Sequence, residues 1–239
     1  MDKIKKLNDM INESNNIVFF GGAGVSTESG IKDFRSANGI YTMKYKFSPE
    51  EILSHTFYKK HTADFYDFYR KYLCFPDAKP NKAHYKLAEL EKSGKLKAVI
   101  TQNVDGLHQM AGSKNVFELH GSSLRNFCDK CGMFHDFNTV YNSVGIPECE
   151  CGGIIKPDVV LYEESLDDKV IYHAINAISN ADMLIVAGTS LKVYPAAGFI
   201  NYFHGKHFVL INMDETALDS EFGLVIHDKI GEILNKVKV

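Results

Sequence analysis

No stretch of this sequence approaches the eighteen consecutive apolar residues of a membrane-spanning helix. Its first residues, "MDKIKKLNDMINES", lack the apolar centre of a secretory leader; Ile4, Leu7, Met10 and Ile11 are spaced as one face of an amphipathic helix. A charge field of one sign is also missing. With 27 Lys+Arg against 30 Asp+Glu the formal net charge is −3, which excludes the broad basic surface of a nucleic-acid binder. Repeats and low-complexity segments are absent. The expectation is a soluble, cytoplasmic protein with no membrane and no nucleic-acid partner. Its 239 residues suit one large domain carrying an insertion better than two independent domains.

Cysteine is scarce but clustered. Cys128, Cys131, Cys149 and Cys151 read as C-x2-C-x17-C-x-C, and a reducing compartment favours metal ligation over disulfides. Two close pairs of thiolates suit one tetrahedral zinc ion, with "DKCG" and "CECGG" supplying the turn residues that aim amides at sulfur. The second pair is tighter than the usual C-x2-C, and two disulfides are the alternative. Four protein ligands would close the site, so the zinc is expected to be structural. Cys74 stands alone in the aromatic stretch "FYDFYRKYLCF" and reads as a buried thiol.

The rest of the chain alternates. "NIVFF" (16–20), "LKAVIT" (96–101), "NVFEL" (115–119), "DVVLY" (158–162), "MLIVAG" (183–188) and "HFVLIN" (207–212) are short β-branched apolar runs. Helical patterns such as "NKAHYKLAELEKSG", "DDKVIYHAINAISN" and "KIGEILNKV" separate most of them. That alternation predicts an α/β fold, a doubly wound parallel sheet of Rossmann type covered on both faces. Two segments break the rhythm: 36–78 reads as helical, with Ser48 and Glu51 of "SPEE" placed as a capping box, and 122–156 is the zinc module. Residues 1–35, 79–121 and 157–239 are therefore expected to form a large nucleotide-type domain, with the two insertions forming a smaller one across a cleft.

Ligands of such sheets bind beyond the carboxyl ends of the strands. After the first strand comes "GGAGVSTESG", whose Gly21, Gly22 and Gly24 permit close backbone approach and whose turn offers amides to phosphate. The dinucleotide fingerprint is incomplete, because Thr27 stands at the third glycine and no acidic residue closes a second strand some twenty residues later. A standard dehydrogenase is disfavoured; a dinucleotide is not. Thr189, Ser190 and Asn212 follow two later strands and could hold phosphate or ribose. "TQNVDGLH" (101–108) sets Gln102, Asn103 and Asp105 after the second strand, and His120 of "ELHGSS" follows the third as a candidate general base. His108, three residues beyond Asp105, reads as the start of a helix.

With these motifs in order, the chain resembles the sirtuins, the NAD-dependent protein lysine deacylases. The resemblance rests on "GAGVST" with "GIKDFRS" (Gly22 to Ser36), "TQNVDGLHQMAG", "ELHGS", the four cysteines, "KPDVVLYEE" (Lys156 to Glu164), "GTSLKVYPAAG" (Gly188 to Gly198) and "INMDET". It spans Gly21 to about Asp228. It implies NAD as co-substrate held by Gly22, Ala23, Gly24, Thr27, Asp33, Phe34 and Arg35. Asn103, Val104 and Asp105 would form the nicotinamide pocket, with Asp105 bonding the carboxamide and Gln102 near the ribose. Gly188, Thr189, Ser190 and Asn212 would take phosphate and ribose, with the backbone near Asp228 bordering the adenine. His120 would be the base and Asn103 a second catalytic group. An acyl-lysine peptide would pair with "DVVLY", with Val159, Val160, Leu161, Tyr162 and Phe34 lining its tunnel.

The implied reaction captures the ribose carbon with the acyl oxygen as nicotinamide leaves. His120 then draws a proton from a ribose hydroxyl, and water releases lysine and O-acyl-ADP-ribose. An ADP-ribosyltransferase or NAD glycohydrolase using the same pocket is the alternative. Three departures from the family pattern stand out: Lys32 in place of a proline, "YEE" where many members have Phe-Gly-Glu, and Tyr69 where desuccinylating members carry an arginine after Tyr66. Acetyl is thus the default acyl group. The acyl group used in the cell, the protein substrate and the oligomeric state are not legible, and a monomer is compatible with everything read.

Overall fold

The computed structural model describes residues 2–36, 39–42 and 45–238. Residues 37, 38, 43 and 44 of the expected helical insertion, and the two chain ends, lie outside the described residues. Helix α1 (Lys3–Glu13) is capped by the Asp2 carboxylate, which accepts from the amide of Ile4, and it buries Leu7, Met10 and Ile11. Strand β1 (Ile17–Gly21) follows, then a tight 3-10 turn over Ala23–Ser29. Three short helices come next: α2 (Pro49–Ile52), α3 (His55–Lys60) and α4 (Thr62–Tyr72). As the sequence predicts, the Ser48 hydroxyl caps α2 by accepting from the amide of Glu51.

Helix α5 (Lys82–Lys92) leads into β2 (Leu96–Thr101), α6 (Leu107–Met110) and β3 (Val116–Glu118). The zinc module contributes β4 (Gly121–Cys128), β5 (Phe134–Asp136), α7 (Phe137–Tyr141) and β6 (Ile155–Val159). The chain ends with α8 (Asp168–Ser179), β7 (Met183–Ala187), β8 (His207–Ile211), β9 (Leu224–Ile226) and α9 (Ile230–Leu234). Among the described residues no helix is long and apolar enough to cross a membrane.

Six parallel strands form the main sheet in the order β3-β2-β1-β7-β8-β9. Its strands alternate their side chains between two cores. Phe19, Val99, Ile185 and Val209 face α1, α5 and α9, while Phe20, Ile100, Val186 and Leu210 face α8 and the segment around Phe199. Each fully buried residue of this size contributes about 1.5–3 kcal/mol, and burial on both faces explains why these strands are apolar throughout.

"DVVLY" does not form a strand of that sheet as expected. The strand begins earlier, at Ile155, ends at Val159, and pairs antiparallel with β4 in a second sheet of order β5-β4-β6. Beyond it the amide of Tyr162 donates to Leu53 and its carbonyl accepts from His55, so the chain's partners there are the helical insertion. The sixth parallel strand is β9, too short to stand out in the sequence.

A third core joins the two insertions. Phe57, Tyr58, Phe65, Tyr66, Phe68 and Tyr69 pack with Cys128, Cys149, Ile155, Val159 and Leu161. Tyr66 donates to the Ile155 carbonyl at 2.6 Å and Tyr58 to the Asp129 carboxylate at 2.9 Å, so these two buried phenols gain partners across the junction, while the Tyr69 hydroxyl has none among the described residues. Cys74 lies in this core as a free thiol, where burial pushes its pKa up to about 12 and leaves it a poor nucleophile.

Candidate active site

β1, β2 and β7 end together, Gly21 lying level with Thr101 on one side and Ala187 on the other. The loops beyond them open onto a cleft of about 560 Å³ between the main sheet and the insertions, a size typical of small-molecule sites. Glycine is required where two of these loops touch. A side chain on Gly22 would meet the Gly188 carbonyl, and one on Gly24 the Gly188 Cα, at 2.8 and 2.7 Å. Gly188 itself sits at φ +59° against the backbone of Gly24 and Val25. The amide of Gly24 donates to Gly188 (2.8 Å) and that of Gly22 to Ala187 (3.1 Å), so these two amides brace the loops against each other.

Behind that turn lies a polar cluster built from the first and second strand ends. The Ser26 hydroxyl donates to Asp105 Oδ2 at 2.6 Å and accepts from Asn103 Nδ2 at 3.1 Å, while the amide of Leu107 donates to Asp105 Oδ1. Burial raises the Asp105 pKa, and the bonds from Ser26 and Leu107 oppose the rise. Gln102 Nε2 donates to Thr189 Oγ1 at 3.2 Å, linking this cluster to the loop after β7.

His120 sits where β3 gives way to β4. Its Nδ1 lies 3.0 Å from the Gln102 carbonyl, which can only accept, so Nδ1 carries the proton and Nε2 is left as the acceptor. Burial lowers its pKa, only partly offset by that carbonyl, and so favours the neutral ring. The arrangement is that of an oriented general base.

The far wall comes from the insertions and from the end of β6. Phe34, Tyr41, Leu53, Leu73 and Phe75 face Val159, Val160, Leu161 and Tyr162. The hydroxyls of Tyr41 and Tyr162 are 2.8 Å apart, and Arg35 lies over the Tyr41 ring at 4.8 Å.

The structure brings almost all the sequence-selected residues into this one cleft, including Ala23, Thr27, Asp33, Val104, Ser190 and Asn212. Asp228 is the exception. Its carboxylate turns back to accept from the amide of Lys229 at 2.7 Å, and Ile230 lines the cleft instead. His108 opens α6 as expected and is buried away from the cleft, its ring 4.7 Å from that of His84. Ser26 escaped notice in the sequence; the only signal was a small polar residue inside the glycine turn. Tyr41, Leu73 and Phe75 carried no local signal at all.

The four cysteine sulfurs lie within 4.8 Å of one another, with Cys128 and Cys151 3.4 Å apart and Cys131 and Cys149 3.8 Å apart. Thiolates on a tetrahedron of about 2.3 Å bonds sit about 3.8 Å from each other, whereas a disulfide is about 2.05 Å long. The amide of Lys130 points at Cys128 Sγ (3.4 Å), and Gly153 packs so close to that sulfur that a side chain there would collide with it. The set fits one closed zinc ion and excludes the two-disulfide alternative as the structure stands.

The Sir2 family model matches residues 22–195, spanning the glycine turn, the polar cluster, His120 and the cysteines. The chain belongs to the Sir2 family. Relatives include the NAD-dependent protein deacetylases of Clostridium perfringens, 62% identical over 99% of this chain and 98% of that one, and of Clostridium acetobutylicum, 61% identical with the same coverage. Among solved structures, Sir2 bound to acetylated peptide superposes with a TM-score of 0.86 at 36% identity, covering 98% of this chain and 96% of that one. A Sir2 variant with deacetylated p53 peptide and 3'-O-acetyl ADP-ribose gives 0.90 at 38% identity with the same coverage. The Sir2 fold thus accounts for both the parallel sheet and the cysteine module of this chain.

Proposed function

We propose that this protein is an NAD-dependent protein lysine deacylase, with acetyl-lysine as its reference substrate. The observation that carries the reading is His120, its Nδ1 held by the Gln102 carbonyl and its Nε2 left open in a cleft bounded by the glycine turn on one side and Val160–Tyr162 on the other. NAD, when bound, supplies an electrophilic ribose carbon and nicotinamide as the leaving group.

The chain's own residues do the rest. Asn103 and Asp105, tied by Ser26, are arranged to hold a carboxamide. The apolar pair Phe34 and Val160 shields an acyl-lysine from water, and Tyr162 stands at the rim. His120 Nε2 accepts the proton of a ribose hydroxyl, which then takes up the acyl group. A base whose pKa is lowered is active above that pKa, so activity is lost as pH falls through it. The cysteine module holds zinc for structure only and takes no part in the chemistry. The bacterial deacetylases among its relatives support a cytoplasmic location.

The test is mass spectrometry of an acetyl-lysine peptide incubated with and without NAD, beside His120→Ala. Free lysine and O-acetyl-ADP-ribose are expected only with NAD and the intact histidine. NAD consumption with the peptide still acetylated would instead mark a glycohydrolase or transferase.

A further inference from the structure

Glu163 stands where the resemblance to sirtuins leads one to expect glycine, and its backbone justifies the expectation: φ is +75°, one of two non-glycine residues in the left-handed region among the described residues. A side chain there is unfavourable unless surrounding contacts hold it. The contact is specific. Glu163 Oε2 accepts from the amide of Thr56 at 2.8 Å, in the first turn of α3.

The neighbouring amides of that turn are satisfied in the same place. His55 N donates to the Tyr162 carbonyl at 3.0 Å, and Phe57 N to the Ser54 hydroxyl at 3.1 Å. Two of three consecutive first-turn donors are therefore filled by Tyr162 and Glu163. The amide of Tyr162 returns a bond to the Leu53 carbonyl at 2.9 Å, and Glu164 reaches His55 Nδ1 at 2.8 Å and Lys156 Nζ at 3.1 Å. Residues 162–164 are each fastened to the start of α3, Leu161 is tied to them through its amide's bond to Glu164 Oε2 at 2.9 Å, and the fastened stretch is the cleft wall that carries Leu161 and Tyr162.

We propose that Glu163 is a positioning residue for the acyl-lysine: it fixes the height of Tyr162 and Leu161 in the cleft by tying their segment to α3. The proposal rests on the deacylase reading. Glycine would give the segment its backbone freedom; glutamate gives up that freedom and gains a set wall position.

The test pairs direct peptide binding with turnover. Affinity for a fluorescent acetyl-lysine peptide by anisotropy, steady-state kinetics and Tm are measured for the wild type, Glu163→Gln, Glu163→Ala and Glu163→Gly. Loss of the hydrogen bond is expected to weaken peptide affinity and raise peptide KM about three- to tenfold in the Ala and Gly variants. Their kcat and KM for NAD should stay within about twofold, and Gln, which keeps an acceptor oxygen, should recover most of the affinity. Gly should melt no lower than Ala, because it relieves the left-handed backbone, and yet bind peptide as poorly. Wild-type affinity in Ala and Gly, or affinity that follows Tm so that Gly is restored, would overturn the proposal. A wild type that deacylates while all variants bind alike sinks this inference alone; one that neither binds nor deacylates sinks it together with the deacylase reading.

Discussion

His84 and His108 are packed ring against ring, fully buried, and three of their four ring nitrogens have no hydrogen-bond partner among the described residues. Only His84 Nδ1 is engaged, accepting from the amide of Asn81 at 3.2 Å. Burial lowers their pKa values from 6.5 to about 4 for His84 and about 3 for His108, where the neighbouring histidine adds to the effect. The unfolded chain therefore binds protons that the folded chain refuses as pH drops below 6.5. Stability is intact above 6.5 and is lost as pH falls from there toward the folded values. At pH 5 each unfolded imidazole gains about 2 kcal/mol relative to neutral pH, or about 4 kcal/mol for the pair, a large share of a typical domain's stability.

Zinc release and other histidines also vary with pH, so the informative quantity is a difference. Urea unfolding of the wild type and of His108→Leu is compared at pH 7 and pH 5; terms common to both proteins cancel. The variant removes one titrating ring from the pair. Its loss of stability between the two pH values should be smaller than that of the wild type by about 2 kcal/mol. Equal losses in the two proteins would refute the reasoning, since they would mean that His108 is protonated as readily in the fold as out of it.

Other perturbations separate the parts of the site. Ser26→Ala leaves Asn103 and Asp105 without their shared partner, and kcat/KM should fall about ten- to a hundredfold, the worth of a hydrogen bond to a charged group. The same change removes a bond that favours the Asp105 carboxylate, so the Asp105 carboxyl should titrate at higher pH by side-chain carbon-13 NMR; an unmoved titration would contradict it. Gly188→Ala drives a methyl into the backbone of Gly24 and Val25 at positive φ, and thermal unfolding should show a loss of about 2 kcal/mol or more. Chelating zinc should lower activity in step with loss of small-domain structure by circular dichroism; chelation that abolishes activity with structure intact would assign the metal a chemical role.

The strands of the main sheet were legible because burial on both faces leaves a run such as Val18-Phe19-Phe20 with no polar alternative. The strand β9 was not, because three residues make too short a run. "DVVLY" misled for a related reason: β-branched composition marks an extended chain without saying which sheet takes it, and Tyr162 finds its partners in Leu53 and His55, more than a hundred residues away. In the site, glycines, amides and His120 follow strand ends and could be read locally. The wall formed by Tyr41, Leu73 and Phe75 arises only when the insertion folds back over the sheet. Asp228 follows the last strand, yet it is Ile230, two residues on, that lines the cleft.

The most direct test of the account is to follow the acetyl group. In a reaction of purified protein, acetyl-lysine peptide and NAD, nicotinamide, free lysine and O-acetyl-ADP-ribose are quantified together by mass spectrometry. The account predicts one of each per turnover. Acetate released with NAD unspent, or nicotinamide released with the peptide still acetylated, would contradict it.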